Sequence, residues 1–197
     1  VTGPYARARE QFGMPIAEFE GILEPLGRMA GNSYMISSSL STTAMAIGAG
    51  EKPSVISAIL KYHSTELARN IGRDAMDIHG GKAVMLGPKN YLAGGYESTP
   101  VGITVEGANI MTRSLIIFGQ GAFRCHPYVL KEIEAVNIED KNESLEQFDL
   151  HLFGHIGHSI SCAIRALVRG ITNRFTSSPV EDETAIYYKQ INRLSAG

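Results

Sequence analysis

Along almost the whole chain, apolar residues recur at spacings of three and four, and no stretch alternates in the manner of a strand, so the sequence specifies helices that each bury one face. An opening helix is expected to end at Gly13, with Pro15 in the turn before the next. From about Ile16 a second helix sets Phe19, Ile22, Leu26 and Met29 on one stripe and continues to about Gly48, before Lys52-Pro53 breaks it. A third runs from about Pro53 to Ile78 with Ile56, Ile59, Leu60, His63, Leu67 and Ile71 at helical spacing, and a double glycine, Gly80-Gly81, stops it. The glycines, prolines and Asn90 of residues 82–100 describe an irregular connection, and one that long in a compact domain points to function. A fourth helix is expected from Ile103 to about Phe118. The default architecture for four such helices is all-α, an antiparallel four-helix bundle.

Composition shifts at "KEIEAVNIEDKNESLEQ", which reads as a solvated linker or a charged helical turn. One long helix from about Ser144 to Phe175 follows, then a break at "TSSPVEDE" and a short terminal helix with Glu181, Asp182 and Glu183 as its acidic start. The shift sets a helical bundle before it apart from a helical extension after it.

Eighteen basic against twenty acidic residues leave a net charge of −2 with no block of like charge, which argues against a nucleic-acid partner and a polybasic membrane anchor. The longest uncharged run, Met29 to Gly50, has the length of a membrane span. It also holds Asn32 and the hydroxyls of Ser33, Ser37, Ser38, Ser39, Ser41, Thr42 and Thr43, so it reads as a packed helix whose hydroxyls bond back to the preceding turn. The two cysteines, Cys125 and Cys162, make no disulfide framework, and a reducing compartment is the simpler expectation. Because the sequence opens at Val1 directly in a helical pattern, it is expected to be a piece of something longer.

Several residues could carry chemistry. Glu106 is the only charge between Glu97 and Arg113, and a carboxylate so placed is solvated, locally neutralised or there for chemistry. In a dry apolar pocket its proton affinity would rise, making it a competent base for a weakly acidic carbon; on a helix N-terminus facing water it would be ordinary. Arg7 and Arg9, in "ARAREQFG", read as complementing the negative end of a short helix, and Phe12 as core. The double glycine after "DIH" either ends a helix or lets backbone approach a cofactor, and His79 reads as a packed histidine. His151, His155 and His158 share a helical face, but no cysteine or carboxylate pattern completes a metal site.

In this order and register the segments resemble the C-terminal helical domain of the acyl-CoA dehydrogenases. An arginine, a spacer, a polar residue and Phe-Gly are matched by Arg9, Gln11, Phe12 and Gly13; about 65 residues on, a helix ending in a double glycine is matched by "DIHGG". About 25 residues further, Glu-Gly with an arginine seven positions after the glutamate is matched by Glu106, Gly107 and Arg113. The resemblance covers roughly residues 1–131, the expected bundle domain; the final third, led into by "GQGAFRCHPY" and expected as a helical C-terminal extension over residues 132–197, is similar to the enlarged bacterial long-chain enzymes of fatty-acid degradation (FadE type).

The resemblance implies flavin adenine dinucleotide (FAD) as cofactor, an acyl-CoA substrate and α,β-dehydrogenation in fatty-acid β-oxidation, with Glu106 as the base that takes the α proton. It implies that the Glu106–Gly107 backbone meets the thioester, that Arg9, Gln11 and Phe12 contact the flavin of a neighbouring subunit, that Gly80 and Gly81 let backbone approach its adenine end, and that Asp77 stands at a position that helps hold the flavin. A homo-oligomer, an electron-transfer flavoprotein as electron acceptor and a cytoplasmic location, with peripheral membrane association open, are implied too. The chain departs from the family pattern in carrying Asp77 for a glutamine, Ala108 for a threonine and Val105 for a tyrosine. An acyl-CoA oxidase, or a non-catalytic helical assembly domain of the same descent, are the alternatives.

Overall fold

The computed structural model describes residues 1–172 and 178–195. They form an all-α architecture, with one small hairpin, in two compact units, Val1–Gly121 and Ala122–Gly197. The expected domain boundary after Lys131 falls inside the second unit.

In the first unit α1 spans Thr2–Ala8 and stops well before Gly13. The residues between form a hairpin that the periodicity does not reveal: β1, Glu10–Gln11, pairs antiparallel with β2, Met14–Pro15, around a two-residue turn at Phe12-Gly13. A 3-10 turn, Ile16–Glu18, leads into α2, Glu20–Gly48, and a short link leads to α3, Ser54–His79. These two run antiparallel, because Arg28 early in α2 grips Asp74 late in α3 (Nε to Oδ2 2.8 Å, Nη2 to Oδ1 3.1 Å). Asp74 is 2% exposed, and the partly exposed Arg28 guanidinium beside it is raised above its usual pKa by that hydrogen bond. As expected of the uncharged run, Ser38 donates to the Tyr34 carbonyl (2.7 Å) and Thr42 to that of Ser38 (2.9 Å).

Residues 82–100 are less irregular than their composition suggests. Gly81–Val84 form α4, and Ala93–Thr104 form α5 despite Gly94, Gly95, Pro100 and Gly102. Asn90 ties the turn between them: its amide donates to the carbonyls of Ala83 (2.7 Å) and Met85 (2.8 Å), while its Oδ1 accepts the N–H groups of Leu92 and Ala93. Gly102, and Gly72 on α3, serve packing. An added Cβ on Gly102 would lie 3.6 Å from Thr65, and one on Gly72 3.7 Å from the Tyr96 ring, so α5 lies close along α3.

The fourth helix does not begin at Ile103. The chain breaks after Thr104 and restarts as α6, Asn109–Met111, which widens into a π-helical stretch, Thr112–Gln120, before α7, Gly121–Cys125. Gly121 lies against Val55, so this rod also runs antiparallel to α3. The core is small: Ala6, Ile16 and Ile78, with Tyr5, Phe19, Ile22, Leu26 and Met29 packed on them. No residue of α2 is fully buried, and Leu23, Tyr34, Leu40 and Met45 stay at least half exposed.

Among the described residues no single helix is long and apolar enough to cross a membrane. Only α5 with the rod from Asn109 to Cys125 passes that test as a bent pair, and its break carries the Glu106 carboxylate, an expensive group in hydrocarbon.

The second unit holds α8, Val129–Val136, which runs into the stretch read as linker or turn, α9, Lys141–Ile171, and α10, Ala185–Leu194. Asp140 caps α9 by accepting the N–H groups of Asn142 and Glu143, both at 2.9 Å. The expected end of that helix, Phe175, lies outside the described residues, as does the start of the break after it. The acidic trio precedes α10 rather than opening it: Asp182 accepts the N–H of Thr184 at 2.8 Å, which with the Thr184 hydroxyl holds its carboxyl below the usual carboxylate range.

Candidate functional site

Glu106 occupies the break between α5 and α6, not a helix. Val105 leaves the helix extended (φ −78°, ψ 161°), Glu106 turns left-handed at φ 54°, and Gly107 follows at φ 87°. A left-handed conformation costs a side-chain-bearing residue about 1–3 kcal/mol, so something must hold it. The holder is α3. Lys61 Nζ donates to the carbonyls of Gly107 (2.7 Å) and Ile103 (3.3 Å) and to Asn109 Oδ1 (2.7 Å). The Gly107 carbonyl also accepts the Thr112 hydroxyl at 3.0 Å. The Asn109 amide donates in turn to Thr65 Oγ1 and Glu66 Oε1, both at 2.9 Å. Asn109 and Thr112 are buried, 4% and 2% exposed. A hydrogen bond from a charged donor contributes about 1.5–3 kcal/mol, the same order as the strain it offsets.

The Glu106 carboxylate itself is exposed, and no hydrogen bond or ion pair takes it among the described residues. The dry apolar pocket considered from the sequence is therefore not formed by these residues. The helix that would have faced it inward ends two residues earlier, and the turn carries the side chain out.

A second constellation lies where α1, the hairpin and the end of α3 converge. Arg9, Gln11, Gly80 and Gly81, from two separate sequence segments, line one cavity of about 610 Å³. Lys82 and Lys89 line it too, and neither stood out in the sequence. Gly80 ends α3 at φ 55°, and a Cβ on Gly80 or Gly81 would meet nothing within 4 Å, which leaves open space for a ligand beside the backbone. The Arg9 guanidinium donates to the backbone carbonyl of Glu10. Three cations and one amide around bare backbone suit an anionic ligand such as a phosphate or pyrophosphate. Asp77 is exposed and does not line this cavity, and Phe12, 88% exposed at the hairpin tip, meets Phe19 edge-on with ring centroids 6.3 Å apart.

His79 forms the cavity's rigid floor, as a packed histidine. It is 4% exposed, and its ring stacks on Tyr5 at 3.9 Å. Nδ1 donates to the Ala75 carbonyl (2.8 Å), so in the neutral ring Nε2 accepts the Tyr91 hydroxyl (2.9 Å). Burial lowers its pKa, and the Lys82 charge adds to the effect. Lys82 Nζ stands 5.1 Å from the Tyr5 ring centre and 5.0 Å from that of Tyr91, a double cation–π contact that places it over the floor.

Within the second unit, the helical face of His151, His155 and His158 is only partly a cluster. His155 Nδ1 pairs with Glu132 Oε1 at 2.8 Å, and His158 Nε2 lies 3.4 Å from Cys162 Sγ, which accepts from Arg165 at 3.1 Å. His126 joins them, its ring 4.3 Å from that of His155, and its Nδ1 accepts the N–H groups of Tyr128 and Val129 at the start of α8. Burial lowers the His126 pKa, with the neighbouring His155 and His158 charges adding to it. Among the described residues no group of three such side chains could hold a metal ion.

Comparison with known proteins gives a family for the chain. A family model described as acyl-CoA dehydrogenase, C-terminal domain, matches residues 1–119, and one described as acyl-CoA dehydrogenase, C-terminal, bacterial type, matches residues 123–197. A 3-(aryl)acrylate reductase of Clostridium sporogenes is 35% identical over 77 residues, 39% of this chain and 20% of that protein. The solved structure of an FAD complex of PigA superposes with a TM-score of 0.55 at 23% identity, covering 61% of this chain and 31% of the other. The chain thus spans about a fifth of the curated relative's length and about a third of the solved one's, and the latter likeness is one of fold.

Proposed function

The chain belongs to the acyl-CoA dehydrogenase family, in its C-terminal domain, and from that premise we propose that it works as part of an FAD-dependent oxidoreductase that desaturates an acyl-CoA between its α and β carbons, with Glu106 as the base. The observation that carries this is the conformation of Glu106. A carboxylate with no partner among the described residues sits in a strained left-handed turn, held by a buried polar network that also ties α5 and α6 to α3.

The cavity of Arg9, Gln11, Gly80, Gly81, Lys82 and Lys89 fits the cofactor in kind: cations for a pyrophosphate and backbone without side chains for close approach. FAD, when bound, supplies the acceptor for the hydride that leaves the β carbon. The chain's own part is the proton. Glu106 accepts it from the α carbon, the free N–H of Glu106 is placed to polarise the thioester carbonyl and acidify that carbon, and exclusion of water by the bound acyl chain strengthens both effects. Asp77, exposed in the last turn of α3, and Phe12 at the hairpin tip are assigned to the cofactor's outer contacts, and Gly107 to the substrate thioester.

The match of residues 123–197 to a bacterial-type C-terminal model supports a place for the enzyme among the enlarged bacterial fatty acyl-CoA dehydrogenases of β-oxidation; the cytoplasmic location and the electron-transfer flavoprotein as acceptor rest on the family resemblance alone. The exposed apolar side chains of α2 support a homo-oligomer, which would cover them. The acrylate reductase favours one other reading, in which the same carboxylate returns a proton to the α carbon while a hydride is added at the β carbon.

The test is Glu106→Gln in the full-length protein. The variant is expected to fold and bind flavin yet lose dehydrogenation by at least 10³-fold, because the amide cannot take a proton. Turnover near wild-type in that variant would reject the assignment.

A further inference from the structure

Lys61 lies on α3, and its ammonium bonds to both flanks of the Glu106 turn. It reaches the Ile103 carbonyl in the last turn of α5 (3.3 Å), the Gly107 carbonyl just past Glu106 (2.7 Å) and Asn109 Oδ1 at the first residue of α6 (2.7 Å). An ammonium carries three protons, and these three acceptors take all of them. No carboxylate pairs with it among the described residues, so its charge is spent on carbonyl dipoles, one of them at the negative end of α5.

The geometry suits a lysine in particular. Three acceptors arranged around one point match a tetrahedral ammonium, whereas the planar fork of an arginine would miss at least one. The far side of the clamp is rigid, because Asn109 is buried and holds Thr65 and Glu66, one turn along α3 from Lys61. Only the Thr112 hydroxyl, at 3.0 Å, adds a second donor to the Gly107 carbonyl. Cutting the Lys61 bonds frees the two ends of the turn from each other and leaves the strained φ of Glu106 with one weak support.

Resting on the reading of Glu106 as the base, we propose that Lys61 is a positioning residue for proton transfer: it fixes the turn so that the carboxylate meets the α carbon at one distance and angle. Misplacement of a reacting group by about 1 Å can lower a rate roughly 10²-fold while leaving binding intact. The kinetic signature is thus a fall in kcat with little change in KM.

The experiment compares Lys61→Met, Lys61→Arg, Thr112→Val and Glu106→Gln in the full-length protein, with kcat and KM for an acyl-CoA, flavin content, and amide exchange of residues 105–108. Lys61→Met is expected to lower kcat by about 10- to 100-fold, keep KM within about 2-fold, retain flavin and speed exchange in the turn; Lys61→Arg should recover part of the loss. Thr112→Val, which leaves the ammonium in place, should shift kcat the same way by less. Should Lys61→Met fail to fold, Thr112→Val decides alone: lowered kcat at constant KM with faster exchange supports the clamp, and unchanged kcat overturns it. A fully active Lys61→Met, or one whose kcat, KM and flavin content fall together, overturns the positioning role while an inactive Glu106→Gln leaves the base standing. An active Glu106→Gln overturns the base itself, whatever Lys61→Met does.

Discussion

Phe12 and Glu106 are the two non-glycine residues with positive φ among those described, at 53° and 54°, and each is followed by a left-handed glycine, Gly13 at 81° and Gly107 at 87°. Both were singled out from the sequence on other grounds. At each place a side chain that would prefer another conformation is presented outward, and the structure supplies reinforcement nearby: a hairpin ladder around Phe12, and the Lys61 and Thr112 donors behind Glu106. Strain that is held and not relieved is a mark of function.

That contrast predicts a trade between stability and binding at Phe12. The turn at Phe12-Gly13 has positive φ at both central residues, the kind that favours asparagine first, and the phenyl is 88% exposed, so little burial is lost on removing it. Phe12→Asn is expected to raise stability by about 0.5–1 kcal/mol, seen as a higher thermal midpoint, and to weaken retention of flavin by the full-length protein. A variant equally good at holding flavin would remove Phe12 from the cofactor contacts.

Charge in the cavity carries the next expectation. Arg9→Gln removes a cation from a site that Gln11, Lys82 and Lys89 also line, and a lost charge-assisted bond of about 1.5–3 kcal/mol corresponds to roughly 10- to 100-fold weaker flavin binding. Lys82→Gln should weaken it too, and should also loosen Tyr5 and Tyr91, whose rings its ammonium covers. Flavin titration at two salt concentrations checks both, with the variants expected to show less salt dependence than the parent.

How much of this was legible follows from range. Arg9, Gln11, Gly80 and Gly81 meet in one cavity where the end of α3, visible as the Gly80-Gly81 stop, abuts the end of α1, which the sequence pattern places too late, at Gly13. The hairpin was hidden because its strands are two residues each, too short to alternate. α5 was hidden because Gly94, Gly95, Pro100 and Gly102 read as breakers, whereas Gly102 in fact lets the helix approach Thr65 and Gly72 makes room for Tyr96. Lys61 gave no signal at all, since a lysine on a helix is ordinarily solvated and its three acceptors lie 42 to 48 residues away in sequence.

Gly154 in α9 makes a similar point within the second unit. An added Cβ there would lie 2.5 Å from a carbon of the Tyr128 ring, closer than any real contact. Alanine would improve helix propensity by about 1 kcal/mol but force the ring aside at about 1–3 kcal/mol, so Gly154→Ala should destabilise the unit. With Tyr128→Leu already in place the same change should turn neutral or stabilising, and thermal unfolding of the four variants of that cycle measures the coupling.

The floor of the cavity should make stability depend on pH in a defined direction. Burial lowers the pKa of His79 below its ordinary 6.5, so between that lowered value and 6.5 the unfolded chain binds a proton that the folded one refuses. Stability from this group is therefore complete above about pH 7 and is lost as pH falls through 6.5 toward the folded value. His79→Phe keeps the stacking on Tyr5 but has no proton to bind, and it gives up the bonds to the Ala75 carbonyl and the Tyr91 hydroxyl. Its deficit against the parent is expected to be largest near pH 8, of order 1–3 kcal/mol, and to shrink toward pH 5.5 as the parent loses what the variant never had. Thermal midpoints of both proteins across that range decide it: a deficit that stays constant or grows on acidification would mean that His79 is not held neutral by its burial.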